Sequence, residues 1–151
     1  TPSGTFLAAT ALTRLSGLAG TRRWADRAEQ ALLASLTVLQ RLPAAAAQGL
    51  IAVDLLLHPA RQIVVVAGTD EEEYRSVMRS LHARFLPRAV IAPSPPGAAR
   101  PSPSRTPLFE QRPAIGGRTT VYACEDSVCQ APAVGLEAVL ELARSLTPTA
   151  D

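Results

Sequence analysis

With 151 residues, 47% of them apolar, the chain is long enough to bury a real core in one domain or two small ones. Its formal charge of +2 is spread along the chain, with no like-charge block beyond Asp70 to Glu73, which argues against the concentrated basic surface that nucleic-acid binding needs. The longest apolar stretches are broken by Asp54 or Gly68, so no membrane span is expected either.

Aromatic residues are few and alanine is abundant, a composition suited to helices packed closely through small side chains. Every basic residue is arginine, and both lysine and asparagine are missing, which reads as codon bias in a GC-rich genome. Two cysteines do not make the disulfide framework of a secreted chain of this size, and no signal peptide is present, so a cytoplasmic protein is expected. Thr1 stands where a natural start carries methionine, and a helix signal follows within a few residues. The chain therefore reads as the carboxy-terminal piece of a larger protein.

In chain order, Leu7, Ala11, Leu15 and Leu18 recur at helical spacing and predict a first helix over Phe6–Leu18, capped by Ser3 or Thr5 and stopped by Gly17 and Gly20. Thr21 is placed to cap a second helix running to about Leu42. Its inner face carries Trp24, Ala28, Ala31, Ser35 and Val38, widened by Leu32, Leu36 and Leu39. The short connection predicts an antiparallel hairpin. After Pro43 a third helix is expected over Ala44–Leu57, with Ala47, Leu50, Ile51, Asp54 and Leu57 on one side, ended by His58-Pro59. Three helices with stripes this wide leave apolar surface uncovered, as parts of a larger helical array do.

The pattern changes beyond residue 60. Ile63–Ala67 is a continuous, largely β-branched run, the mark of a strand buried on both faces. Gly68 turns the chain, and Thr69 with Glu72 forms a capping-box pattern before a helix over Asp70–Phe85. Leu86-Pro87 ends that helix, and Ala89–Ala92 reads as a second strand, parallel to the first across a right-handed crossover. Pro93–Pro107 is a Pro/Ser-rich loop; Arg118–Cys124 alternates as a third strand; a loop over Glu125–Gly135 leads to a last helix over Leu136–Leu146. The expected organisation is a helical region over residues 1–60 and a small three-stranded α/β unit over residues 61–151.

Few residues offer chemistry. The Gly68-Thr69 turn sits where doubly wound folds hold phosphates, but it has one glycine and opens onto four acids, so a capped structural helix is the reading. Cys124 and Cys129, spaced C-x4-C, match neither a thioredoxin-like C-x-x-C nor a zinc knuckle. Buried structural thiols are the first expectation, with Glu125 and Asp126 disfavouring a thiolate at Cys124. A redox-responsive pair or a disulfide stands behind that, and metal binding, which would need His58 and His82 as well, comes last. Asp54, set among Val53 and Leu55–Leu57, needs a partner if buried: an arginine or helix end in the structural case, a central cavity in the acid/base case. Trp24 reads as core.

Pro2-Ser3-Gly4, Phe85-Leu86-Pro87, and the tail Thr120–Cys124 through Cys129-Gln130-Ala131-Pro132 resemble the carboxy-terminal part of the thioredoxin-domain-containing proteins related to spermatogenesis-associated protein 20 and bacterial YyaL. The resemblance implies an upstream thioredoxin-like domain and an (α/α) toroid similar to six-hairpin glycosidases, with residues 1–60 as the toroid's closing helices. It places Pro2, Ser3, Gly4 and Thr5 at a possible pocket turn, although Thr5 stands where the family pattern has asparagine, and Ala133-Val134-Gly135 replaces a more polar turn. The function expected from this is a structural end piece of a larger protein, with no complete catalytic site and no cofactor or metal of its own. Its partners would be the upstream domains, and the whole protein would act on a carbohydrate or a disulfide. The alternatives are a share in a carbohydrate epimerase or hydrolase using Asp54, and a thiol-redox accessory role for Cys124 and Cys129.

Overall fold

The computed structural model describes residues 3–58, 60–98, 107–125 and 128–146. Pro2 of the possible pocket turn, Pro59, Asp126 and most of the Pro/Ser-rich loop lie outside the described residues. The chain divides into two compact units, Thr1–Ala60 and Arg61–Asp151, and each holds a hydrophobic core of its own.

The first unit contains α1 (Gly4–Ala19), α2 (Arg23–Ala34), α3 (Leu36–Arg41) and α4 (Ala47–Leu57). The second predicted helix is thus two segments that meet at Ser35, a weak helix former whose backbone leaves helical geometry. Thr21 is not its cap; Arg22 takes that position, and the Thr21 hydroxyl only reaches the Arg23 amide at 3.5 Å. Pro43–Ala46 forms a turn before α4, so that helix starts later than its composition suggests.

The faces of α1 and α4 are the larger correction. The buried residues of α1 are Phe6, Ala9 and Thr13, and those of α4 are Gly49, Ala52 and Leu55. Leu7, Ala11 and Leu15, expected to pack inward, are exposed, as are Ala47, Leu50, Ile51 and Leu57. Small residues set this choice. An alanine or glycine at the contact lets α1 and α4 approach each other closely around Phe6 and Leu55, and the leucine stripes are left outside. A Cβ on Gly49 would lie 2.8 Å from both the Phe6 ring and Leu39 Cδ2, so the core of this unit is filled up to the helix backbone.

The second unit is a mixed α/β layer. It comprises β1 (Arg61–Val66), α5 (Glu71–His82), β2 (Ala89–Ser94), β3 (Thr120–Glu125), β4 (Val128–Cys129), β5 (Ala133–Val134) and α6 (Gly135–Leu146). β1 and β2 pair in parallel with Ile63 opposite Ile91, as the β1–α5–β2 pattern requires. β3 pairs antiparallel on the other side of β1, with Ile63 opposite Ala123. The sheet has five described strands where three were expected. The segment after Glu125 folds back along β3, so β4 pairs with its end and β5 with its beginning. Strands two residues long carry too little periodicity to be read from sequence.

Residue alternation assigns the two faces. Ile63, Val65, Val121 and Ala123 join Val77 and Leu81 of α5 and Val139 and Ala143 of α6 in one core. Thr120, Tyr122 and Cys124 point to the opposite face, where residues 107–118 cross over them. There the Tyr122 hydroxyl donates to the Pro113 carbonyl (2.7 Å) and the Ile115 amide donates to Thr120 Oγ1 (2.9 Å). Leu108 and Phe109, in a short 3-10 turn, are buried in this covering segment.

Candidate functional site

The turn after β1 is closed by the protein itself. A Cβ on Gly68 would lie 2.2 Å from the Gly117 carbonyl oxygen and 2.7 Å from the Thr119 nitrogen. Glycine is therefore required here for backbone contact with the start of β3. The Thr69 amide donates to the Gly117 carbonyl (2.8 Å), and the Thr69 hydroxyl goes to the same oxygen (3.3 Å). Committed to that contact, Thr69 does not cap α5. Asp70 does, its Oδ1 accepting from the Glu72 and Glu73 amides at 2.9 and 3.2 Å.

The three glutamates that follow are each engaged. Glu71 pairs with Arg75 (2.5 Å) and Glu72 with Arg79 (2.8 Å) along the exposed face of α5. Glu72, Arg75 and Arg79, with Met78, His82 and Ala83, line an open depression on that face. Glu73 turns inward. Its Oε1 accepts from Arg118 Nη2 and Nε (2.5 and 2.7 Å), and its Oε2 accepts from the Thr119 amide (2.8 Å). The Arg118 hydrogen bond chiefly, supported by the Thr119 amide and opposed by burial, holds the Glu73 carboxyl below the usual carboxylate range.

Because its pKa is lowered by folding, Glu73 contributes stability that is complete above its unfolded value near 4.5 and is lost as pH falls through the folded value. Glu73→Gln is expected to cost about 1–2 kcal/mol near neutral pH. In urea titrations the gap from the native chain should narrow steadily below about pH 4.5. A gap that stays constant down to pH 3, on the order of a unit and a half below that value, would mean the carboxylate charge is not what holds α5 to β3.

Asp54 lies near the end of α4, on its open side, and is not buried against an apolar wall. Its Oδ1 is 3.2 Å from His58 Nδ1, one helical turn on, and the same imidazole nitrogen lies 3.1 Å from the Asp54 carbonyl oxygen. This geometry secures the last turn of the helix. Ser3 occupies the N-cap position of α1 without a side-chain cap bond, and Gly4 and Thr5 are already helical, so what the structure describes of the pocket turn is the start of a helix. Trp24 is half-buried, with the Arg23 guanidinium 5.2 Å from its ring centroid.

The cysteines are joined as a disulfide, which corrects the expectation of separate buried thiols. Cys124 of β3 and Cys129 of β4 stand directly opposite one another, their Cα atoms 3.9 Å apart. The Gln130 amide donates to the Ala123 carbonyl (2.9 Å) and marks this as a narrow, non-hydrogen-bonded pair of the ladder, where side chains approach most closely. Cys124 is buried and Cys129 exposed. Arg112 lies against both sulfurs: its Nη2 is 3.4 Å from Cys124 Sγ and 3.3 Å from Cys129 Sγ, and its Nη1 donates to the Leu108 carbonyl. Glu125, expected to disfavour a thiolate, is the next residue along β3, and its carboxylate pairs with Arg61 (2.8 Å). Sequence reasoning misses Arg112, because nothing in its local pattern distinguishes it from the other arginines.

Among the described residues there is no group of three or more His, Cys, Asp or Glu side chains able to hold a metal ion. No described helix is long and apolar enough to cross a membrane.

Fold and geometry together define a helical unit followed by a mixed α/β unit, with a cross-strand disulfide as its most developed polar feature. The chain is similar to spermatogenesis-associated protein 20 of Rattus norvegicus, 24% identical over 131 residues, and to that of Homo sapiens, 22% identical over 131 residues. These matches cover 87% of this chain and support a family relationship with spermatogenesis-associated protein 20. The chain spans only 17% of the length of these relatives. No protein-family model and no solved structure matches it.

Proposed function

We propose that this chain is the carboxy-terminal structural portion of a larger protein, in which its helical unit closes an (α/α) toroid downstream of a thioredoxin-like domain. It has no complete catalytic site of its own in this reading. The observation that carries the proposal is the inverted packing of the helical unit. Small residues of α1 and α4 meet inside, while Ile51 is 47% and Leu57 71% exposed, with Leu7, Leu15 and Leu50 also open. Leucine stripes at helical spacing on two helices are what further helices of an array would cover. The relatives' greater length, of which 131 residues match here, supports the presence of such helices in the parent.

The test uses a dye that fluoresces on apolar surface. The 151-residue chain is expected to bind it, and Leu50→Gln with Leu57→Gln is expected to lower the signal. Because both side chains are exposed, the double variant should keep its stability within about 1 kcal/mol. The parent protein should bind little dye. Turnover of a sugar by the 151-residue chain alone, or a chain that binds no dye, would refute the proposal.

A further inference from the structure

We infer that Cys124–Cys129 is a thiol–disulfide exchange site for a dithiol, with Cys129 as the attacked sulfur and Arg112 as the group that stabilises the departing Cys124 thiolate. Three observations converge on this. Cys129 lies exposed on a two-residue strand beside the exposed Val128, so an incoming thiolate meets this sulfur first. Cys124 is buried near the end of β3, between β1 and β4, where a bare thiolate would be unfavourable without a cation. The cation is in place: the Arg112 Nη2 lies 3.4 Å from Cys124 Sγ and 3.3 Å from Cys129 Sγ.

The guanidinium is held there from behind. Arg112 Nη1 donates to the Leu108 carbonyl, and both Leu108 and Phe109 are buried. A disulfide sulfur is neutral and a weak acceptor, so in the oxidised protein these N–H···S contacts contribute little. A thiolate at the same position accepts a charge-assisted hydrogen bond, which is substantially stronger. Arg112 therefore favours the product of the first exchange step over its reactant. The Glu125 carboxylate, which would oppose this, is paired with Arg61.

In the first step a thiolate of the dithiol attacks Cys129 Sγ and forms a mixed disulfide. The Cys124–Cys129 bond breaks, and its electron pair remains on Cys124 Sγ. The second thiolate of the dithiol then attacks its own sulfur in the mixed disulfide and expels Cys129, which takes a proton from water. The dithiol is oxidised to its disulfide, and the protein is reduced to a Cys124 thiolate held by Arg112 and a Cys129 thiol.

The test follows reduction of the oxidised 151-residue chain by dithiothreitol under native conditions, read by mass after alkylation. Stabilising the departing thiolate speeds its departure, by roughly tenfold for one charge-assisted hydrogen bond from the arginine. Arg112→Met is expected to slow reduction by about that factor, and Arg112→Lys should restore part of the loss. Equal rates in native protein and Arg112→Met would overturn the inference, as would a disulfide that resists dithiothreitol until denaturant is added. A second measurement does not depend on the variants: brief exposure to glutathione should place the mixed-disulfide adduct on Cys129. An adduct found on Cys124 would equally overturn the assignment.

Discussion

Gly68→Ala is expected to destabilise the α/β unit by at least about 3 kcal/mol, because the added methyl has nowhere to go. Its nearest neighbours would be the Gly117 carbonyl oxygen at 2.2 Å, the Arg118 carbonyl carbon at 2.6 Å and the Thr119 nitrogen at 2.7 Å. All three are backbone atoms, so no side-chain rotation relieves the clash. The start of β3 would have to recoil, which breaks the 2.8 Å bond between the Thr69 amide and Gly117 and disturbs the 2.8 Å bond between Glu73 and the Thr119 amide. Gly4→Ala is the matched control. Nothing lies within 4 Å of its added Cβ, and the position is helical, so alanine there should be neutral or slightly stabilising. Urea midpoints of the two variants decide the matter. A Gly68→Ala midpoint equal to that of the native chain would show that β3 does not press on this turn, and would reopen the turn as a place for a ligand.

Leu81→Ala should produce a loss of about 2–5 kcal/mol, the range for removing a large aliphatic side chain from a closed core. Leu81 is fully buried near the end of α5, in the same cluster as Ile63, Val65, Val121 and Val139. Phe85 provides the contrast. Its period suggests a continuation of α5, but the helix ends at His82 and Phe85 is 78% exposed. Phe85→Ala should change stability by less than about 0.5 kcal/mol. Calorimetric unfolding of both variants separates these expectations. Comparable losses at the two positions would mean that α5 extends and packs further than the structure places it.

Leu81 and Phe85 also mark how far local pattern reaches in this fold. The apolar period of α5 and the β-branched run of β1 are dense local signals, and each points to the right element with ends displaced by a few residues. The parallel pairing of β1 with β2 follows from the intervening helix. The cap of α5 lies one residue beyond its expected place because Thr69 and Asp70 are both competent caps. Only contact with Gly117 removes Thr69 from the choice. The candidate site is half legible: the cysteines stand out by type, but Arg112 becomes their neighbour through a segment crossing the sheet face.

The amino-acid sequence by itself determined the longer helices and strands to within a few residues, and which strand is buried on both faces, while the break at Ser35 and the short strands β4 and β5 escaped it. The properties it determined depend on residues within a few positions of one another. Tertiary structure decided which side of α1 and α4 faces inward, since the competition between a leucine stripe and a small-residue stripe is settled by how closely two helix backbones can approach. It also decided that Cys124 and Cys129 close a bond and that Glu73 reaches Arg118, because strand register brings together groups whose separation along the chain carries no local signal.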